Sequence, residues 1–242
     1  MRPLRLFSHL LRWDVLRELR RRESILNMTL FAVLVLFVVD LGMSPLLAVL
    51  RSSPDASLRE LAPAFGPVLY WVAVLFAGTV GLSQSFAAER EGSALTGVIL
   101  APLDLGLFYL AKVAAAWLYI LVMELCLLAA YAVLFGPGER MELPPLLAIL
   151  ALFSLVYVAA GVFLAAMTSA LRGGGEVVLR ILLLPLLLPV LYLTFSVREG
   201  TFGESIAPGP AMSFGRYAAS AAAIAAIYLS VGFFVFPRIF EE

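Results

Sequence analysis

The side chains that most often do chemistry are scarce in this sequence. There is one His, His9, and one Cys, Cys126, among 242 residues. Nucleophilic triads and zinc centres lean on His, and a reactive thiolate needs polar, electropositive surroundings. Cys126 lies in an apolar run, so it offers neither a nucleophile nor a ligand, and one Cys cannot form a disulfide within the chain. Sixteen of the 17 basic residues are Arg, and the only Lys is Lys112. A Walker phosphate loop requires a Lys after a Gly-rich turn, but Lys112 follows Tyr109-Leu110-Ala111. The run Gly173-Gly174-Gly175 has no Lys behind it and reads as a turn that ends a helix. These residues predict no catalytic site, no metal site and no ATP site in the chain itself.

Four other features stand out. Asp40 and Glu124 each lie deep in an apolar run. An acid in a membrane is expensive and functional by default. At 1.5 Å per residue, Asp40 falls about 22 Å into its run, where it reaches outer headgroup water. Glu124 is equally deep, and two roles are open to it: a hydrogen bond that packs helices, or the polar lining of a cavity or dimer interface. The third feature is Glu89-Arg90-Glu91-Gly92-Ser93, a polar stretch between two apolar runs that continues as a short helix with Leu95, Val98, Ile99 and Leu103 on one side. It could be a cytoplasmic helix that receives force from an ATPase, or a plain connector. Two prolines, Pro185 and Pro189, sit one turn apart in another apolar run, as a gate that flexes or as a fixed bend.

The elements that must carry these residues follow from composition. The chain is 62% hydrophobic and 14% charged, with a mean hydropathy of +1.00. A soluble domain has about 45–50% apolar and about 25% charged residues, so lipid must be the main solvent. The reading is all-α, a single six-span transmembrane domain over 1–242. The spans fall at about 25–49, 65–86, 107–135, 145–168, 178–197 and 217–236. A loop with Pro54, Asp55, Arg59 and Glu60 separates the first two, and residues 87–103 form the cytoplasmic helix. Residues 4–22 read as an amphipathic helix lying in the membrane interface, with Leu4, Phe7, Leu11 and Val15 on one face and arginines on the others. The first apolar run is too long for a cleaved signal. With the N-terminus cytoplasmic, 12 of the 17 basic residues fall inside, so both termini are placed in the cytoplasm.

Four stretches together resemble the heme exporter protein B (CcmB) family, and the resemblance covers nearly the whole chain. They are Leu19-Arg20-Arg21-Arg22-Glu23; Glu89-Arg90-Glu91-Gly92-Ser93 followed by Leu100-Ala101-Pro102-Leu103; Leu110-Ala111-Lys112-Val113 with Trp117; and Leu171-Arg172-Gly173-Gly174-Gly175 followed by Leu182-Leu183-Leu184-Pro185 and Leu188-Pro189-Val190. Ala101 departs from the family's Ser or Leu. The resemblance implies an ABC-2 type permease subunit in the bacterial inner membrane. Such a subunit acts as a homodimer with two copies of a separate ATPase, a heme-handling membrane protein and a small single-span subunit. Residues 87–103 would be the coupling helix, with Glu89, Arg90, Glu91, Gly92 and Leu95 at the ATPase. Heme would be cargo of the complex in cytochrome c maturation, not a stably bound cofactor: His9 lies on the cytoplasmic helix, and Trp13, Trp71 and Trp117 are scattered. No nucleic-acid partner is expected. The rival readings are an ABC-2 permease for lipid, polysaccharide or drug, and a membrane scaffold without transport of its own. An intramembrane enzyme would need converging polar groups that Asp40 and Glu124 alone do not supply.

Overall fold

A computed structural model describes residues 22–91, 104–135, 143–169, 175–197 and 211–241. These form six helices: α1 Arg22–Ser52, α2 Ala56–Glu91, α3 Leu105–Phe135, α4 Leu143–Ser169, α5 Gly175–Ser196 and α6 Phe214–Glu241. Each contains a stretch long and apolar enough to cross a bilayer. Among the described residues the only extended pairing is a single bridge between Val197 and Met212. The predicted interface helix 4–22 lies outside the described residues except for its last residue, which opens α1.

Local chemistry sets the helix ends. Asp104 caps α3: its Oδ1 accepts the Gly106 N–H at 2.9 Å and the Leu107 N–H at 3.4 Å. Pro144 and Pro145 fall in the first turn of α4, where a missing N–H removes no helical bond. The turn from α1 to α2 spans only 53–55, and Ser53 Oγ accepts the Asp55 N–H at 3.3 Å.

The helices overrun the predicted spans, most of all in α2. Arg59 and Glu60, expected in a loop, belong to α2, which passes through Pro63 and Pro67. Helices held by neighbours tolerate such breakers. At the other end α2 continues through Phe86-Ala87-Ala88-Glu89-Arg90-Glu91, which holds no Gly or Pro to stop it. The predicted cytoplasmic helix 87–103 therefore starts as the last turn of α2, and its remainder lies outside the described residues. Gly175, read as part of a stop after α4, instead opens α5.

α4 is the centre of the bundle, touching α2, α3, α5 and α6, while α1 lies outside against α2 and α3. The most enclosed stretches are α4 and Phe65–Leu82 of α2, and the least enclosed is α1. The outer face of α1 presents Leu26, Leu30, Leu34, Val38 and Leu41, as a helix bathed in lipid should. Cys126 also points outward, from α3. Lys112, counted among the cations that orient the chain, is instead buried in α3.

Water drives apolar surfaces together in soluble proteins, but lipid does not, so close backbone approach matters more here. Glycines supply it by making room for rings. Gly78 on α2 lies against the Tyr157 ring of α4; a methyl group there would stand 2.6 Å from the ring. Gly232 on α6 receives the Tyr109 ring of α3 in the same way. Gly42, on the outer part of α1, faces open space. Gly78→Ala should therefore destabilise the purified chain by about 1–3 kcal/mol through overpacking. Gly42→Ala should leave the detergent melting curve unchanged or slightly raised. Indistinguishable melts for the two variants would refute this packing account.

Candidate functional site

Among the described residues, the buried interior contains one acid. Glu124, in the second half of α3, is fully enclosed, and neither carboxyl oxygen has a hydrogen-bond partner. Residues from three other helices surround it. Tyr70 of α2, Tyr157 of α4 and Tyr217 of α6 lie within electrostatic reach of it. Ser154 of α4 stands beside the carboxyl without meeting hydrogen-bond geometry.

The hydroxyls around Glu124 tie helices together through backbone carbonyls. Tyr70 donates to the carbonyl of Glu124 itself at 3.0 Å, joining α2 to α3. Tyr157 donates to Leu75 O at 3.1 Å, joining α4 to α2. Tyr217 donates to Ile149 O at 3.3 Å, joining α6 to α4. Ser154 donates within its own helix to Leu150 O at 2.7 Å. Trp117, about two turns before Glu124 on α3, donates Nε1–H to Ala151 O at 3.0 Å. A helical carbonyl has a second lone pair free after its own helix bond, so these ties break no helix.

The other predicted residues lie elsewhere. Pro185 and Pro189 are inside α5, on its uncovered face with Leu184 and Leu188. Between the two prolines α5 is tied to α6, where the Tyr228 hydroxyl donates to Leu186 O at 3.0 Å. Near the end of α5, Thr194 meets the Tyr217 hydroxyl at 3.3 Å, which connects α5 to the cluster around Glu124. Asp40 is half-buried on α1 and does not join this cluster. Glu89, Arg90 and Glu91 form the last turn of α2, while Gly92 and Leu95 lie outside the described residues. Nineteen residues of α2 separate Tyr70 from Glu89, about 28 Å along the axis. The polar end of α2 and the Glu124 cluster are thus separate regions, joined by one helix.

Sequence reasoning singled out Glu124 but missed its hydroxyl shell. The available signal was Ser154 and the tyrosines inside otherwise apolar spans, since a hydroxyl in lipid must find a partner. Among the described residues, no three His, Cys, Asp or Glu side chains converge. The arrangement can bind and orient through hydrogen bonds.

Comparison with known proteins bears on the whole chain. The family model described as CcmB protein matches residues 5–235. A heme exporter protein B of Pseudomonas aeruginosa is 31% identical over 187 residues, covering 77% of this chain and 78% of that protein. A heme exporter protein B of Haemophilus influenzae is 30% identical over 228 residues, covering 91% of this chain and 96% of that protein. A match from residue 5 to residue 235 takes in five membrane-spanning helices and most of the sixth, and the chain belongs to the CcmB family.

Proposed function

We propose that this chain is the membrane permease subunit of an ABC complex that exports or delivers heme for cytochrome c maturation. The observation that carries the reading is the family match across nearly the whole six-helix bundle. The relatives' name, heme exporter protein B, supplies the cargo class. Energy comes from a separate ATPase, bound in two copies to a dimer of this chain, because the lone Lys112 is buried in α3 and follows no Gly-rich turn. A heme-handling membrane protein and a small single-span subunit complete the assembly. The complex sits in the bacterial inner membrane with both termini of this chain in the cytoplasm.

In this reading Glu89, Arg90 and Glu91 take the push of the ATPase, with Gly92 and Leu95 following in the coupling segment 87–103. Two observations favour that site. The three charges end a helix that overruns the bilayer: at 1.5 Å per residue the 36 residues of α2 measure about 54 Å, against a hydrocarbon core of about 30 Å. That same helix carries Tyr70 to the Glu124 cluster. Pro185 and Pro189 let α5 flex against its tie from Tyr228. Heme passes through the complex as cargo, and this chain supplies no lasting axial ligand to it.

Deletion of the gene should abolish covalent c-type cytochromes, read as loss of heme-stained bands from membranes; normal bands would discard the reading. Glu89→Arg or Arg90→Glu should leave the chain in the membrane but lose co-purification of the ATPase, or its stimulation, by about tenfold, the effect of roughly 1.4 kcal/mol at the interface. Unchanged binding and turnover would remove these residues from the ATPase contact.

A further inference from the structure

Glu124 poses a question of donors and acceptors that the transport reading leaves unused. An ionised carboxylate only accepts hydrogen bonds, and its two oxygens can take several. Buried without donors or a counter-charge, it is among the most unfavourable groups a fold can hold. Among the described residues, no donor bonds either carboxyl oxygen of Glu124. Each neighbouring hydroxyl has one hydrogen, and each of those is already directed to a backbone carbonyl: Tyr70 to Glu124 O, Tyr157 to Leu75 O, Tyr217 to Ile149 O and Ser154 to Leu150 O. The indole N–H of Trp117 is likewise committed, to Ala151 O. Helical N–H groups here are used within their helices.

Among the described residues no counter-charge faces it either. The titratable groups that face Glu124 are the phenols of Tyr70 from α2, Tyr157 from α4 and Tyr217 from α6. Among the described residues, α1 and α5 place no charged side chain on it. Lys112, the other buried ionisable group of α3, sits twelve residues earlier, about 18 Å along the helix. What the surroundings do offer is acceptors. The oxygens of Ser154 and the tyrosines keep lone pairs after donating their hydrogens. A neutral carboxylic acid, with one O–H to give, suits that inventory, and a carboxylate does not.

We propose that Glu124 is a proton-binding site inside the membrane domain. The bundle as packed holds the side chain as the acid. Parting α3 from α4 or α6 so that water enters would let its O–H bond break, leaving a carboxylate on α3 and passing the proton to that water. The ligand is a single proton, and the site is built from four helices around one side chain.

Infrared difference spectroscopy tests the assignment on the full chain in lipid nanodiscs at neutral pH, with whatever subunits co-purify. Wild type minus Glu124→Gln should show loss of the C=O stretch of a protonated carboxylic acid. That band should move in D₂O and under carboxyl-¹³C glutamate labelling. Loss of the paired carboxylate stretches instead, with no acid band, would overturn the proposal. Gln copies the shape and neutrality of the acid, so the variant should also accumulate and co-purify as wild type does. Should it fail to accumulate, Glu124→Asp replaces it: the acid band should shift in position, and a band unchanged by that substitution would overturn the proposal equally.

Discussion

A tyrosine hydroxyl reaching a backbone carbonyl on another helix is the interaction on which this bundle depends. Lipid gives apolar helices no reason to prefer each other over acyl chains. Something must select one arrangement, and here it is a set of directed ties in which a ring fills a gap and its hydroxyl finds an oxygen. Tyr157 shows both halves: its ring fills the gap left by Gly78, and its hydroxyl bonds Leu75 O one turn earlier on the same helix. Tyr109 repeats the device, filling the space beside Gly232 of α6 while its hydroxyl bonds Ala159 O of α4 at 3.1 Å. Each hydrogen bond is modest, about 0.6 kcal/mol on average in a membrane interior. The ring packing supplies more of the energy, and the hydroxyl supplies the register.

These ties explain why α4 is central. It donates to α2 through Tyr157 and accepts from α3 through Trp117 and Tyr109 and from α6 through Tyr217. Aromatic contacts follow the same lines, with Trp71 of α2 against Phe153 of α4 at 4.4 Å between ring centres. α5 is held more lightly, by Tyr228 at Leu186 and by the meeting of Thr194 with Tyr217. It is also the helix whose two prolines have no N–H to give the preceding turn. The contrast between a tightly tied α4 and a lightly tied, proline-bearing α5 rests on a few side chains.

The spans were legible in the sequence because bilayer thickness imposes a length and lipid imposes a composition. Their ends were less so. Arg59 and Glu60 read as loop because charge and nearby proline are loop signals, yet helix α2 holds them. Gly175 read as a stop and is a start. Glu124 was visible as an acid in an apolar run, but its surroundings were not, because they are assembled across the fold. Tyr70 meets it from 54 residues away, Tyr157 reaches Leu75 across 82, and Tyr217 reaches Ile149 across 68. No local pattern encodes such meetings. Of the polar segment at 89–95, its charge was readable directly, while its link to an ATPase came only from resemblance.

The continuity of α2 has a mechanical consequence. From Val68 to Glu91 no proline interrupts it, a stretch of 24 residues or about 36 Å. The rings set against Gly78 and Gly81 brace it from the side. Such a segment transmits motion as a lever does. A tilt of about 5° pivoting near Tyr70 swings the charged tip by roughly 3 Å over that length. Run in reverse, a small stroke at the tip becomes torque at the one place where α2 grips the carbonyl of Glu124.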